Sequence, residues 1–404
     1  MTDEMPVGKR IKHYRDRVGM SRPVLAGLLG KSTEWLKAVE SSRLQAPRLP
    51  MLLRIAQALE LEDLAVLTGN SHAVPVNVYA GQRHSALSEV QTALTEYRVS
   101  GTPAAVSVPH LAERLRTAWL VRHSSSDHRT QLGALLPGLI RDAQNAVRAL
   151  RSDNRREARR VLSGVYQLAD FYVAYQPSPE LVWLVADRAL TEAQEADDPY
   201  VIAGGAWAMV QALRDAGRWE EAISLATDAQ RQLHPYLDTA PVDWRGMAAA
   251  LDAEIAYVQA RRGRHGEAWA HWEAANDVAE RLGADYRHTQ TSFSQSVLKA
   301  HAVTLGVELR RSGEAMRAAN SFDAVAIPSL ARRGRHLIEV ARVHALQDDR
   351  IGALTLLERS QRVASETISY NGFARDMLLE LRKRPPTGRA ADVRDLCSRV
   401  GLAA

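Results

Sequence analysis

Five short stretches of this chain share one plan: a glycine or aspartate, four further residues, then an alanine. "GRWEEA" (Gly217 to Ala222), "GRHGEA" (Gly263 to Ala268) and "GEAMRA" (Gly313 to Ala318) follow it closely. "DDRIGA" (Asp348 to Ala353) and "DNRREA" (Asp153 to Ala158) follow it more loosely. The last four turns recur at spacings of 46, 50 and 35 residues. A turn-forming residue ends one helix, and the alanine marks where the next helix crosses it too closely for a larger side chain. One such pair cannot bury its own apolar face, so pairs must stack into a continuous core. From about residue 130 onward the apolar residues keep helical spacing, and no run alternates with the period of a strand. The pattern predicts an all-α chain whose larger part is an α-solenoid.

Composition narrows the class. The chain has 404 residues, 46% hydrophobic and 25% charged, which is the balance of a folded globular protein of two to four domains. Its one cysteine, Cys397, excludes an internal disulfide framework or a multi-cysteine metal site and suits a reducing cytosol. That residue lies in an amphipathic stretch, "AADVRDLCSRVGL", and reads as a packed thiol. No apolar run approaches the roughly 18–20 residues needed to span a membrane. "MTDEMPVGKRIKHYRDR" has no apolar signal-peptide core. The expected setting is cytoplasmic, with no membrane partner.

Charge is unevenly placed. The first 60 residues hold eleven basic and six acidic side chains, which accounts for the whole net charge of +5. A compact basic module on a neutral body is the footprint of a nucleic-acid binder, although a solvated basic surface gives the same count. This module divides into five short amphipathic pieces. Val7–Arg17 carries Ile11 and Tyr14 on one face and stops at Gly19. Ser21 caps Arg22–Leu29, with Leu25, Leu28 and Leu29 on a stripe that ends at Gly30. Ser32 caps a third piece with Trp35, Leu36 and Val39 inward. Pro50 opens a fourth, and a short fifth covers Glu62–Leu67.

These residues carry two resemblances. "MSRPVLAGLLGKS" across a turn, Arg15 in the first helix, Glu40 closing the third and "LLRIAQALEL" in the fourth resemble the phage-repressor-like, or xenobiotic-response-element, helix-turn-helix family. The resemblance implies a structural ion pair between Arg15 and Glu40. Residues 135–365 are similar to degenerate tetratricopeptide repeats, of the kind that follow such a head in actinobacterial-style, ligand-sensing regulators. The implied organisation is a helix-turn-helix domain at 1–69, a linker with connecting helices at 70–128, and a helical repeat domain at 129–404. Linkers are expected at 69–82 and 99–109, and a polar loop at 123–128.

The resemblance makes the third helix the one that enters the major groove of double-stranded DNA. Its outward residues are Ser32, Thr33, Glu34, Lys37, Ala38 and Ser41, and the family's frequent base-contact positions fall on Thr33, Glu34 and Ala38. Hydroxyls pair with bases or phosphates, Glu accepts from cytosine, Lys reaches guanine or phosphate, and Ala meets a thymine methyl. Arg10, Arg22, Lys31, Ser42 and Arg43 are the further DNA-contact candidates, suited to phosphates. Arg22 stands where the family usually has Gln. In the repeat domain the implied concave positions are Trp207, Gln211, Arg214, Tyr257, Arg261, Arg310, Arg311 and Arg342. Aromatics among arginines suit a peptide or an anionic small-molecule effector. Arginine near a helix C-terminus also serves the helix dipole without any ligand. Half-site logic implies a homodimer.

No phosphate loop, "HExxH", "GxSxG" or cluster of metal ligands occurs in the sequence. The chain is expected not to be an enzyme and to need no cofactor or metal. The alternative is an adaptor whose repeat domain binds a protein while the head localises it. A broad apolar groove would favour the adaptor, and a deep Arg-lined pocket the small-ligand sensor.

Overall fold

A computed structural model describes residues 5–44, 47, 49–61, 63–69, 82–97 and 107–402. Among these the chain is all-α, and it divides into two compact units between Arg83 and His84. The linkers expected at 69–82 and 99–109 lie mostly outside the described residues.

The first unit contains α1 (Val7–Arg17), α2 (Arg22–Leu28), α3 (Thr33–Glu40), α4 (Leu49–Ala58) and α5 (Ala65–Thr68). The caps are those the sequence implies: Ser21 Oγ accepts from Val24 N and Ser32 Oγ from Trp35 N. Gly19 and Gly30 end α1 and α2 in the left-handed region. Ile11, Leu25, Leu29, Leu36, Val39, Ile55, Leu59 and Leu67 form the core. Leu28, expected on the inward stripe, is 58% exposed. At 100° per residue it lies on the far side of Leu25 from Leu29, and that edge of α2 faces solvent. Gly8 sets how closely α1 meets the end of α3, because a Cβ there would lie 1.9 Å from the Val39 carbonyl oxygen.

The second unit starts with α6 (Leu87–Thr95) and α7 (Val108–Ser124). The sequence sets these apart as connecting helices. In the structure Leu87, Val90, Leu94, Leu111 and Trp119 belong to the same core as Leu136, Val165 and Tyr172. The unit therefore begins some 45 residues before the expected boundary at 129. Pairs follow: α8 (His128–Ala149) and α9 (Ser152–Val173), α10 (Pro179–Ala196) and α11 (Pro199–Asp215), α12 (Trp219–Leu233) and α13 (Val242–Arg261). Then come α14 (His265–Leu282), α15 (Gln295–Glu308), α16 (Ser312–Asn320), α17 (Leu330–Leu346) and α18 (Arg350–Val363). The chain finishes with α19 (Ser365–Tyr370), α20 (Gly372–Lys383) and α21 (Ala390–Arg399).

The turn-and-alanine plan works as the sequence implies at three pairs. Gly217, Gly263 and Asp348 take positive φ, and Ala222, Ala268 and Ala353 are buried. The fourth pair needs a correction. Its left-handed turn residue is Arg310 and its buried alanine is Ala315, three residues before the expected Gly313 and Ala318. Ala315 packs on Gly306, where a Cβ would come within 2.8 Å of it.

Helices α7, α9, α11, α13, α15 and α17 neighbour one another in that order, with their partners outside. The row then closes, because α17 also packs on α7. Hydrogen bonds seal this junction. His123 reaches the Thr289 carbonyl at 2.8 Å and Ser329 Oγ at 3.1 Å. Glu366 accepts from Arg129 N at 2.5 Å and from Thr130 Oγ1 at 2.5 Å, so α19 caps the start of α8. The helical pairs enclose a central space rather than opening as a groove.

Candidate DNA interface and central cavity

Helix α3 has two faces. Leu36, Val39 and Glu40 are buried, whereas Ser32, Thr33, Glu34, Lys37, Ser41, Ser42 and Arg43 are exposed and Ala38 is half-buried. Trp35 packs against the domain core, with Lys31 Nζ over its ring at 5.8 Å. The helix is fixed by its last residue. Arg15 Nε and Nη2 donate to the two Glu40 carboxylate oxygens at 2.6 and 3.1 Å, a bidentate pair inside the domain. Arg22 Nε joins the same carboxylate at 2.6 Å. Arg22 is thus committed in part to α3, while its side chain keeps 34% exposure.

Arg10 requires a correction as a phosphate contact. It is 7% exposed, and its guanidinium donates to the Met5 carbonyl at 2.7 Å and the Val66 carbonyl at 3.4 Å. It ties α1 to α5. Exposed cations near the recognition face are Lys31, Lys37 and Arg43, and Arg43 Nε also donates to Ser41 Oγ at 3.1 Å.

The second unit holds two adjoining cavities on the inner helices. The first, about 280 Å³, brings together Trp207, Gln211, Arg214, Tyr257 and Arg261, five of the positions the sequence singles out. Arg310 and Arg342 are not among its lining residues. They line a shallower space of about 220 Å³ beside Phe373. Arg311 is exposed and paired with Glu314 at 3.0 Å.

Of the arginines picked out by sequence, Arg214, Arg261, Arg311 and Arg342 already have carboxylate partners. Arg214 bonds Glu254 and Asp215 and lies 4.5 Å over the Tyr257 ring. Arg261 pairs with Asp215 at 2.8 Å, and Arg342 with Glu308 at 2.9 Å and Glu339 at 2.7 Å. Burial opposes the charge on Arg214, but Asp215 and Glu254 outweigh it and hold its pKa high.

The second cavity, about 420 Å³, adjoins the first across Tyr175, Gln211, Arg214, Asp215, Arg332 and Arg335. Its far end carries cations that sequence reasoning misses. Arg122 is 9% exposed, lies 4.9 Å over the Phe171 ring, and has no partner for Nε or Nη1. Arg332 lies over the same ring at 5.7 Å, donates to the Thr291 carbonyl, and leaves Nε unpartnered. Arg129 donates to the Tyr172 and Ala174 carbonyls. Among the described residues none of these three makes a salt bridge. Burial, then Arg332 and Arg129, pull the Arg122 pKa down. Asp170 in the same wall has an unpartnered Oδ1, and burial followed by Asp215 pushes its pKa up to about 7. The signal for Arg122 lies in "WLVRHS", a segment that reads as a connector. That for Arg332 lies in the first turn of α17, whereas the implied concave positions fall in the last turns of the inner helices.

Among the described residues no group of His, Cys, Asp or Glu is placed to hold a metal ion, and no helix is long and apolar enough to cross a membrane. No curated protein matches the chain. Among solved structures it is similar to a crystal structure of BtubC (BKLC) from P. vanneervenii, at 14% identity and a TM-score of 0.33, over 65% of this chain and 93% of that one. Residues 6–67 match the family described as a helix-turn-helix domain, so the unit built on the Arg15–Glu40 pair is a helix-turn-helix domain.

Proposed function

We propose that the protein is a sequence-specific, DNA-binding transcriptional regulator and not an enzyme. It acts as a homodimer, and its helical repeat unit, built of degenerate tetratricopeptide-like pairs, holds a peptide or small-molecule effector. The observation that carries the reading is the two-sided α3 of a helix-turn-helix domain: its outer face offers Thr33, Glu34, Lys37 and Ala38 to base edges, and Ser41, Ser42 and Arg43 follow at the backbone. Two such heads meet half-sites about 34 Å apart, so a small change in the effector-binding unit alters the fit. A cavity on the inner helices bearing several arginines supports a small effector over the adaptor reading, which wants a broad apolar groove.

The test is capture of genomic DNA fragments by purified full-length protein, followed by sequencing. A shared inverted repeat is expected. Binding that follows only salt concentration, with no enriched site, would overturn the reading. On the recovered site, Arg43→Ala should weaken binding uniformly and reduce the salt slope by about 1. Glu34→Ala should instead relax the preference at one base position, at a cost of roughly 1–3 kcal/mol for the preferred base.

A further inference from the structure

We propose that the Arg122 end of the second cavity is the receptor for the acid group of a small anionic effector, a carboxylate or a phosphate monoester on a flat apolar body. This rests on the effector-sensing reading above and adds the chemical class and the groups that bind it.

Three features converge on an anion. Among the described residues, Arg122 is a buried cation with two N–H groups unanswered and no carboxylate within bonding distance. Leaving a buried cation unpaired is costly, and a protein retains such an arrangement where a ligand supplies the missing charge. Arg332 shares the Phe171 ring with it and has an unanswered Nε of its own. Both guanidiniums lie over one ring, Arg332 is the charge that acts most on Arg122, and each offers the planar fork that suits carboxylate and phosphate oxygens. Arg129 adds a third buried positive charge, which acts on Arg122 through space. Elsewhere on the inner face, Arg214, Arg261 and Arg335 are neutralised by Asp215, Glu254 and Glu339. The positive excess is confined to one end.

The remaining walls fit the body of such a ligand. Phe171, Pro179, Val182 and Trp183 give the cavity an apolar side, and its volume of about 420 Å³ suits a molecule of one or two rings. A longer ligand would continue past Gln211 into the first cavity.

The closing experiment uses the full chain without DNA. Phenyl phosphate and benzoate are the acid probes, and benzyl alcohol is the neutral probe of similar shape. Thermal unfolding and calorimetric titration are read for the wild type, Arg122→Met and Arg332→Met. Either acid should raise the Tm of the wild type by several degrees, as ligand binding to the folded state requires, while benzyl alcohol leaves it unchanged. Which acid binds more tightly distinguishes a carboxylate from a phosphate source. Arg122→Met should unfold at a higher temperature than wild type without probe, since it removes an unpaired buried charge, yet lose the acid-induced shift and bind at least about tenfold more weakly. Arg332→Met should weaken binding in the same direction, and it serves if Arg122→Met does not fold. General salting effects of the probes act on wild type and variants alike and cancel in the comparison.

A shift undiminished in both variants, an equal shift from benzyl alcohol, or no shift from either acid would overturn the assignment. Operator binding is measured separately. A failed anion test with intact operator recognition removes only this site, and lost recognition with an intact anion shift removes only the regulator reading.

Discussion

At the scale of the residue, Glu40 is the most consequential side chain of the DNA-binding unit. It is 3% exposed and holds both Arg15 and Arg22. Glu40→Ala leaves the buried Arg15 guanidinium with Asp16 and the Met20 carbonyl, partners on the same short segment. Removing one half of a buried pair costs roughly 3–5 kcal/mol, a large share of what a domain this small commands. The expected outcome is loss of operator binding and of the domain's own melting transition, with the second unit's transition unchanged; two unaltered transitions would mean Asp16 suffices. The Arg15–Glu40 pair is legible in the sequence through the helix-turn-helix resemblance, which implies it. The role of Arg10 is not. A basic residue in a basic module reads as a phosphate contact, and only the tertiary course of α5 brings the Val66 carbonyl within its reach. Arg214 and Arg261 are legible as residues of the inner face but not as paired ones, since their carboxylates come from Asp215 and, for Arg214, from the next inner helix.

At the scale of the element, helix existence follows from local signals, and pairing follows from the turns. Register depends on which residue takes the left-handed conformation. Gly217 and Gly263 announce themselves, whereas Arg310 at φ 59° does not, and the neighbouring Gly313 draws the reading three residues too far. Closure of the inner row is not legible at all, because its bonds join residues far apart in sequence, as Thr130 and Glu366 are. That contact gives an element-scale expectation. The Glu366 carboxylate meets the first-turn N–H groups of Arg129 and Thr130 and the Thr130 hydroxyl. It acts as an N-cap supplied from a distant helix and favours the positive end of α8. Glu366→Ala should destabilise the second unit by about 2 kcal/mol, with Glu366→Gln milder. Hydrogen exchange should quicken in the first turn of α8 and in α19 together. Faster exchange in α8 alone would show that the two helices are not coupled through this residue.

At the scale of the whole molecule, buried ionisable groups of the second unit set its response to pH, and their number decides the direction. Burial is the first cause lowering the imidazole pKa of His123 to about 4, His288 to about 4, His301 to about 3 and His336 to about 4. An unfolded imidazole titrates near 6.5. Below that pH the unfolded chain takes up protons the folded chain refuses, so the contribution is complete above about pH 6.5 and is lost as pH falls towards 4. Each group supplies a slope of about 1.4 kcal/mol per pH unit in that window. Asp170 works in the opposite sense. Its pKa is raised to about 7, so the folded state holds its proton longer and its contribution shrinks as pH rises from about 4 to 7. Burial likewise lowers His84 and His128 and raises Glu192, Glu254 and Asp376, so six imidazoles outweigh four carboxyl groups. The net loss on acidification is about 3 kcal/mol per unit, against a total stability on the order of 5–15 kcal/mol. The cavity unit should therefore unfold cooperatively between about pH 6 and 4.5, well before ordinary carboxylates protonate. Tm measured from pH 7.5 to 4.5 checks this, and His301→Gln should flatten the slope by one group's share. His301 faces Arg214, Arg332 and Glu339, so its charging would add a further cation to a wall that already carries Arg214, Arg261, Arg332 and Arg335. A Tm constant down to pH 5 would mean these imidazoles meet water or a carboxylate in solution, and the enclosed character of the ring would have to be given up.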